Sequence, residues 1–461
     1  MRIVIAFLVS LTLTASAQTG HTMGPLRVLK SNPRYFTDGS GRAILLAGSH
    51  IWRNFQDMGH RMPESKDPPA AFDYDGYLEF LASHHHNFIR LWRWEVPRWT
   101  DVEPKGTVQY AVPQPWRRTG PGFAADGKPK FDLTQFDPTY FDRLRNRVKT
   151  ARDRDIYVSV MLFEGWELQF TDAAKYHPFY GDNNVNGIHV EGTNSHTLAD
   201  TPMGKRVWKL QEDYVRRVVD TVNDLDNVLY EIANESGAYS TEWQYQLIRF
   251  VHQYEAGKPQ QHPVGMSFQY KDGSNKALFD SPADWIAPNP GNADERYRDD
   301  PSPAYRGKVI LNDTDHLWGL GGDNTWVWKS FTRGLNVLFM DDMLPSPVWL
   351  DSGRIALGQV IDYSRKVDLA RMEPAGHLSQ TRYCLAKPGK EYLVFQPGDQ
   401  GRFTVNLSGA SGMFNVEWLE VNSGHVSQSK AIRGGGSQLF TTPFPGPAVL
   451  YINTASRSDK N

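Results

Sequence analysis

NVLYEIANESGAYS, residues 227–240, joins an apolar run to a polar cluster that begins with an amide and a carboxylate. Val228, Leu229, Tyr230 and Ile232 have the texture of a buried strand, and Ser236-Gly237 that of the turn that ends it. Glu235 is then either a solvated loop acid or a carboxyl aimed at a ligand. Its place at a strand end, with Asn234 before it and a small turn after it, suits the second role. Glu231 lies inside the apolar run and reads as structural. A buried carboxylate needs a partner, and Arg90 in NFIRLWRWE (87–95) is the expected one.

The same texture recurs along the chain. Candidate strands are Ala43–Ala47, Phe88–Trp92, Ile156–Phe163, Asn227–Ala233, Pro263–Phe268, Asp284–Ala287, Lys308–Asn312 and Asn336–Met340. Helix-like stretches lie between them, among them Tyr77–His84, Thr139–Arg152, Lys205–Asn223 and Trp243–Ala256. Eight strand–helix alternations predict an α/β fold with a closed parallel sheet, a (β/α)8 barrel. Two long insertions, Thr100–Pro138 and Gln169–Pro202, follow candidate strands and read as loops of the C-terminal rim, where such barrels carry their sites. From about residue 375 to 455, short alternating runs between Gly, Asn and Asp turns predict a small antiparallel β-sandwich, with the barrel occupying residues 24–374.

Bulk properties narrow the function. A formal charge of −2 and no basic block argue against nucleic acid. The single cysteine, Cys384, allows no intrachain disulfide and no cysteine metal site. Arg2, the apolar run Ile3–Leu13 and Ala15-Ser16-Ala17 form an export-signal pattern, so residues 1–17 are expected to be cleaved and the protein to act in the periplasm or outside the cell. No run is long enough to span a bilayer, so membrane insertion is not expected. The 14 Trp are many for this length, and an indole face suits sugar stacking as well as core packing.

Hydrolysis of a glycosidic bond needs a second carboxyl across the sugar ring. GKVILNDTDHLWG (307–319) offers Asp313 and Asp315 at the end of the seventh candidate strand. Either could be that second carboxyl. His316, Trp318, Trp326 and Trp328 crowd the same region. Asp313, Asp315 and His316 could also ligate a metal, which is the rival hydrolase reading.

An Asn-Glu after strand four, an acid after strand seven and an Arg in strand two resemble the clan of retaining (β/α)8 glycoside hydrolases. YFTDGSGRAILLAGSHIW (35–52), HPFYGDNNVNGI (177–188) and YCLAKPGKEYLVFQPGDQGRFTVNLSG (383–409) are similar to the apiosidase-like proteins, which join such a barrel to a β module named for collagen binding. The resemblance implies Glu235 as general acid/base, an acid of strand seven as nucleophile and Arg90 as its orienting cation; counted from Gly307 as the clan's usual strand start, it favours Asp313, with Asp315 close behind. It implies Asn234 as the amide that binds a sugar hydroxyl. Strict alternation would turn Asn234 away from Glu235, so a twist or bulge is expected there. Two features depart from the pattern: strand seven offers Asp rather than Glu, and GSHIW (48–52) replaces the usual first-strand motif. Further sugar contacts are expected from Trp52, Trp92, Trp94, Trp166 and Trp326, with His50 and His316 as polar partners. The function so implied is secreted hydrolysis of a plant or bacterial poly- or oligosaccharide, without cofactor. The alternative is a barrel that binds glycan without cleaving it.

Overall fold

The run that ends in Asn234 is the fourth of eight parallel strands. The computed structural model describes residues 24–58, 66–100, 107–169, 171–270, 272–291, 296–304, 307–342, 348–398 and 401–454. The export-signal pattern at residues 1–17 lies outside them. The strands are β1 (Ala47–His50), β2 (Phe88–Leu91), β3 (Tyr157–Glu164), β4 (Val228–Asn234), β5 (Val264–Ser267), β6 (Trp285–Ala287), β7 (Val309–Asp313) and β8 (Asn336–Met340). They pair in the order β1-β8-β7-β6-β5-β4-β3-β2. Asn87 closes the seam between the two ends of that order. Its amide N–H donates to the Ala47 carbonyl at 3.0 Å, its Oδ1 accepts from the Ala47 N–H at 2.9 Å, and its Nδ2 donates to the Leu45 carbonyl at 2.8 Å.

The first strand sits later than its apolar run suggests. Ala43–Ala47 was the expected span, whereas the ladder uses Ala47-Gly48-Ser49-His50. Close packing at the seam is the reason: a Cβ on Gly48 would lie 2.1 Å from the Phe88 carbonyl oxygen.

Helices α1 (Tyr74–Ser83), α2 (Pro138–Arg152), α3 (Pro202–Val222), α4 (Thr241–Glu255), α5 (Asn275–Asp280), α6 (Asn324–Thr332) and α7 (Val348–Lys366) cover the outside. Pro138 and Pro202 each open a helix behind a capping side chain, Asp137 and Thr201. No described helix is long and apolar enough to cross a membrane. The described part of the insertion Thr100–Pro138 is more ordered than the expected loop. It carries two antiparallel ribbons, Arg98–Thr100 with Val108–Tyr110 and Trp116–Phe123 with Pro129–Phe136.

Inside the lower barrel, Phe88, Tyr157, Leu229, Trp285, Val309 and Leu338 form one apolar plug. Gly265 on β5 makes room for it, since a Cβ there would lie 1.9 Å from the Trp285 indole.

The C-terminal strands are β9 (Cys384–Lys387), β10 (Glu391–Gln396), β11 (Arg402–Asn406), β12 (Met413–Glu420), β13 (Val426–Arg433), β14 (Ser437–Thr441) and β15 (Ala448–Thr454). A sheet led by Glu373–Pro374 and containing β9, β10, β15, β12 and β13 faces the β11–β14 pair across a core of Val394, Phe403, Val405, Phe414, Trp418 and Leu450. The sheet's other face, with Leu393, Phe395 and Tyr451, joins the main core. Trp328 on α6 stacks on Phe395, and the Tyr363 hydroxyl on α7 donates to Glu417 at 2.9 Å. The sandwich is therefore packed onto the barrel.

Candidate active site

Two residues above the apolar plug the barrel interior becomes charged. Arg90 on β2 is buried, and all five of its N–H donors are engaged. Nε and Nη2 donate to Glu231 at 2.9 and 2.6 Å, Nη2 also to Asn234 Oδ1 at 2.7 Å, and Nη1 to Asp313 and Asp315 at 3.0 Å each. Glu231 also accepts from the Ser267 hydroxyl. The acid inside strand four thus meets the arginine inside strand two.

Asp313 is the last residue of β7 and fully buried. Its Oδ1 accepts from the Asp315 N–H at 3.0 Å and lies 3.2 Å from His50 Nε2, and its Oδ2 binds Arg90. Burial opposes its ionisation, but His50 and Arg90 outweigh burial and hold the carboxyl well below the usual range. Asp313 caps a single turn, Thr314–His316, and that turn carries Asp315 to the surface of the cavity.

The cavity holds about 550 Å³ at the C-terminal mouth of the barrel. Its floor is Glu164, Asn234, Glu235 and Asp315, and its walls include Trp52, Trp92, Trp94, Trp99, Trp166 and Trp318. Of the predicted residues it gathers Glu235, Asp315, Asn234, Trp52, Trp92, Trp94 and Trp166. Arg90, Asp313, His50 and His316 lie beneath it instead. His50 stacks under Trp92, with ring centroids 5.5 Å apart. His316 Nε2 is 3.2 Å from Asn234 Oδ1, and burial followed by the Arg90 charge holds its imidazole below the usual histidine range. Trp326 is no wall residue: on α6 it is buried behind Trp318, edge to face at 5.2 Å. Glu164, Trp99, Met58, Leu320 and Met340 line the cavity without having been predicted.

Glu235 faces the cavity beside Asn234 because the chain turns left-handed at this residue, with φ +45°. No bulge is needed, but such a backbone costs about 1–3 kcal/mol. Several contacts hold it. Gln169 Nε2 donates to the Glu235 carbonyl at 3.0 Å, and the Gly165 N–H donates to the Asn234 carbonyl at 2.8 Å. Ser236 Oγ lies 2.7 Å from His196 Nδ1, whose Nε2 is 3.0 Å from Glu95. Gly165 permits this approach, since its Cβ would meet Ser236 Oγ at 2.2 Å. Among the described residues the Glu235 carboxyl makes no hydrogen bond. Burial first, then the negative charges of Asp315 and Glu164, push it well above the ordinary glutamate range, with Arg90 opposing them. Its carboxyl is thereby biased toward the protonated form.

Asp313, Asp315 and His316 bring ligand atoms within 4.8 Å of one another. Arg90 Nη1 already places a cation against both carboxylates, so the set is not an open cradle for a divalent ion.

A second hollow, of about 660 Å³, lies against the Trp116–Phe136 ribbon. Asp137, the one carboxylate among its lining residues, caps α2 through the Thr139 N–H, so the hollow offers no paired acids.

No protein-family model matches the sequence, and no curated protein matches it. Solved structures share the fold. One described as a glycoside hydrolase gives a TM-score of 0.61 at 13% identity, covering 95% of this chain and 98% of its own. A glycoside hydrolase family 5 protein from Bacteroides vulgatus gives 0.58 at 13% identity, covering 95% of each chain.

Proposed function

We propose that the chain is a glycoside hydrolase that works by double displacement with Glu235 as acid/base and Asp315 as nucleophile. One observation carries the reading: Glu235, whose carboxyl makes no hydrogen bond among the described residues, and an Arg90-held Asp315 line the same Trp-walled cavity. Glu235 donates its proton to the glycosidic oxygen as Asp315 attacks the anomeric carbon, and the ionised Glu235 then draws a proton from water to release the sugar. Charge leaves Asp315 as charge appears on Glu235, so the two carboxyls need opposite environments, which Arg90 and burial supply. Asp315 is preferred to Asp313 because Asp313 is fully buried and committed to Arg90, His50 and its own turn. Asn234 gives one Nδ2 proton to Glu164, leaving the other for a sugar hydroxyl.

The substrate is a poly- or oligosaccharide stacked on the tryptophans, and the export-signal pattern of residues 1–17 supports a reaction outside the cytoplasm. Apiose is not carried over from the resemblance, because the first-strand motif differs and His50 lies beneath the cavity. The test is sugar release from a panel of plant and bacterial polysaccharide digests by wild type, Glu235→Gln and Asp315→Asn. Cleavage by the wild type and loss in both variants is expected. Binding without cleavage by the wild type would instead make this a glycan-binding protein.

A further inference from the structure

Glu164 ends β3 as Glu235 follows β4, and both belong to the cavity floor. Three donors converge on the Glu164 carboxyl: the Trp166 N–H and Asn234 Nδ2 on Oε1, each at 3.0 Å, and the Glu167 N–H on Oε2 at 3.2 Å. Asn234 is thereby oriented from both ends, since its Oδ1 already accepts from Arg90. We infer that Glu164 is a positioning residue of the proposed hydrolase site: it seats the Asn234 amide, and its own ionisation delays the loss of the Glu235 proton as pH rises.

The surroundings of Glu164 allow it to do so. Glu95 faces it from the β2 side and Glu167 from its own short helix. Glu235 and Tyr239 face it from the β4 side. Arg93, His177 and His196 are gathered around Glu95, and Asp313, Asp315 and Arg90 act on Glu235. No guanidinium or ammonium is hydrogen-bonded to Glu164 itself among the described residues; its partners are two backbone N–H groups and an amide. Burial pushes its carboxyl up to about 8, against the pull of those three hydrogen bonds. Two carboxyls in one low-dielectric floor cannot ionise independently: the first to lose its proton holds the other's back. Glu235 thus keeps its proton to a higher pH than burial alone would give it.

This inference rests on Glu235 being the acid, and its test needs no turnover. Carbon-13 NMR of protein labelled at the glutamate carboxyls, titrated with pH, reads both groups. In the wild type the Glu235 signal should move in two steps, one of them coincident with the Glu164 signal. In Glu164→Gln it should move in one step with a lower midpoint, and in Glu235→Gln the Glu164 midpoint should fall reciprocally. A single-step wild-type Glu235 titration, unshifted in Glu164→Gln, would overturn the inference. Should Glu164→Gln fail to fold, the wild-type and Glu235→Gln titrations still decide. Where hydrolysis is measurable, the alkaline limb of the Glu164→Gln rate profile should shift to lower pH. Coupled titrations in a protein that cleaves no glycan would uphold the coupling and remove the hydrolase reading alone.

Discussion

At the lower end of the barrel Phe88, Tyr157, Leu229, Trp285 and Val309 close on one another with no charge among them. Two to four residues further along the same strands, Arg90, Ser159, Glu231 and Asp313 point into the same interior. The lower end is stabilised by apolar burial. The upper end satisfies every Arg90 donor and still leaves Glu164, Glu235 and Asp315 crowded beneath a wall of tryptophans. A period-2 strand delivers both environments from one pattern. The crowded carboxyls lie at the mouth, where a barrel of this kind carries its chemistry.

Exchanging the roles of the two ends would break this contrast. Glu235→Gln should lower hydrolysis by about 100- to 10,000-fold while leaving the unfolding midpoint unchanged or raised. Trp285→Ala at the closed end should do the reverse, costing about 3–5 kcal/mol in denaturant unfolding with activity per folded molecule retained. A Trp285 variant that folds normally but is inactive would contradict the separation.

Arg90→Met should affect both properties, because it strands Glu231, Asp313 and Asp315 without their cation. About 3–5 kcal/mol of stability should be lost along with turnover. Stability near wild type would mean that those carboxyls are neutral in the fold. Trp318→Ala sharpens the account of the wall. A fivefold rise in KM with kcat retained, about 1 kcal/mol, is expected if the indole stacks on sugar in ground and transition states alike.

The smallest effect is one of pH. Glu164 has a raised carboxyl, so the folded state holds a proton that the unfolded chain gives up from about pH 4.3 upward. Its contribution is full below that value and is lost as pH rises towards about 8. The fall in thermal midpoint between pH 6 and pH 9 should therefore be smaller in Glu164→Gln than in wild type.

Much of this was legible in the residues. The eight runs predicted the barrel because each is bounded by turn signals and separated by helical spacing, and Glu231 announced its partner by interrupting an apolar strand. Glu164 was missed although VMLFEGW (160–166) repeats the logic of the Asn234-Glu235 end, an acid closing a buried run. Depth was harder. Residues near a strand end are alike in sequence whether they face the cavity or lie beneath it, so His50, His316 and Trp326 were expected as contacts and are packed behind the wall. Asp313 and Asp315 differ only because the first caps the turn that presents the second. The first strand was misplaced because the ladder follows the small residues at the seam rather than the apolar run before them. The ribbons of the first insertion were hidden by Pro and Gly within their strands, as at Gly120-Pro121-Gly122.

The central claim, a carboxylate nucleophile on the turn after β7 served by Glu235, is tested most directly by trapping. Once a cleaved sugar is known, its activated 2-deoxy-2-fluoro glycoside should accumulate as a glycosyl ester, and peptide mass spectrometry should place that ester on Asp315. A label on Asp313 or Glu164, or release of inverted product with no ester formed, would contradict the account.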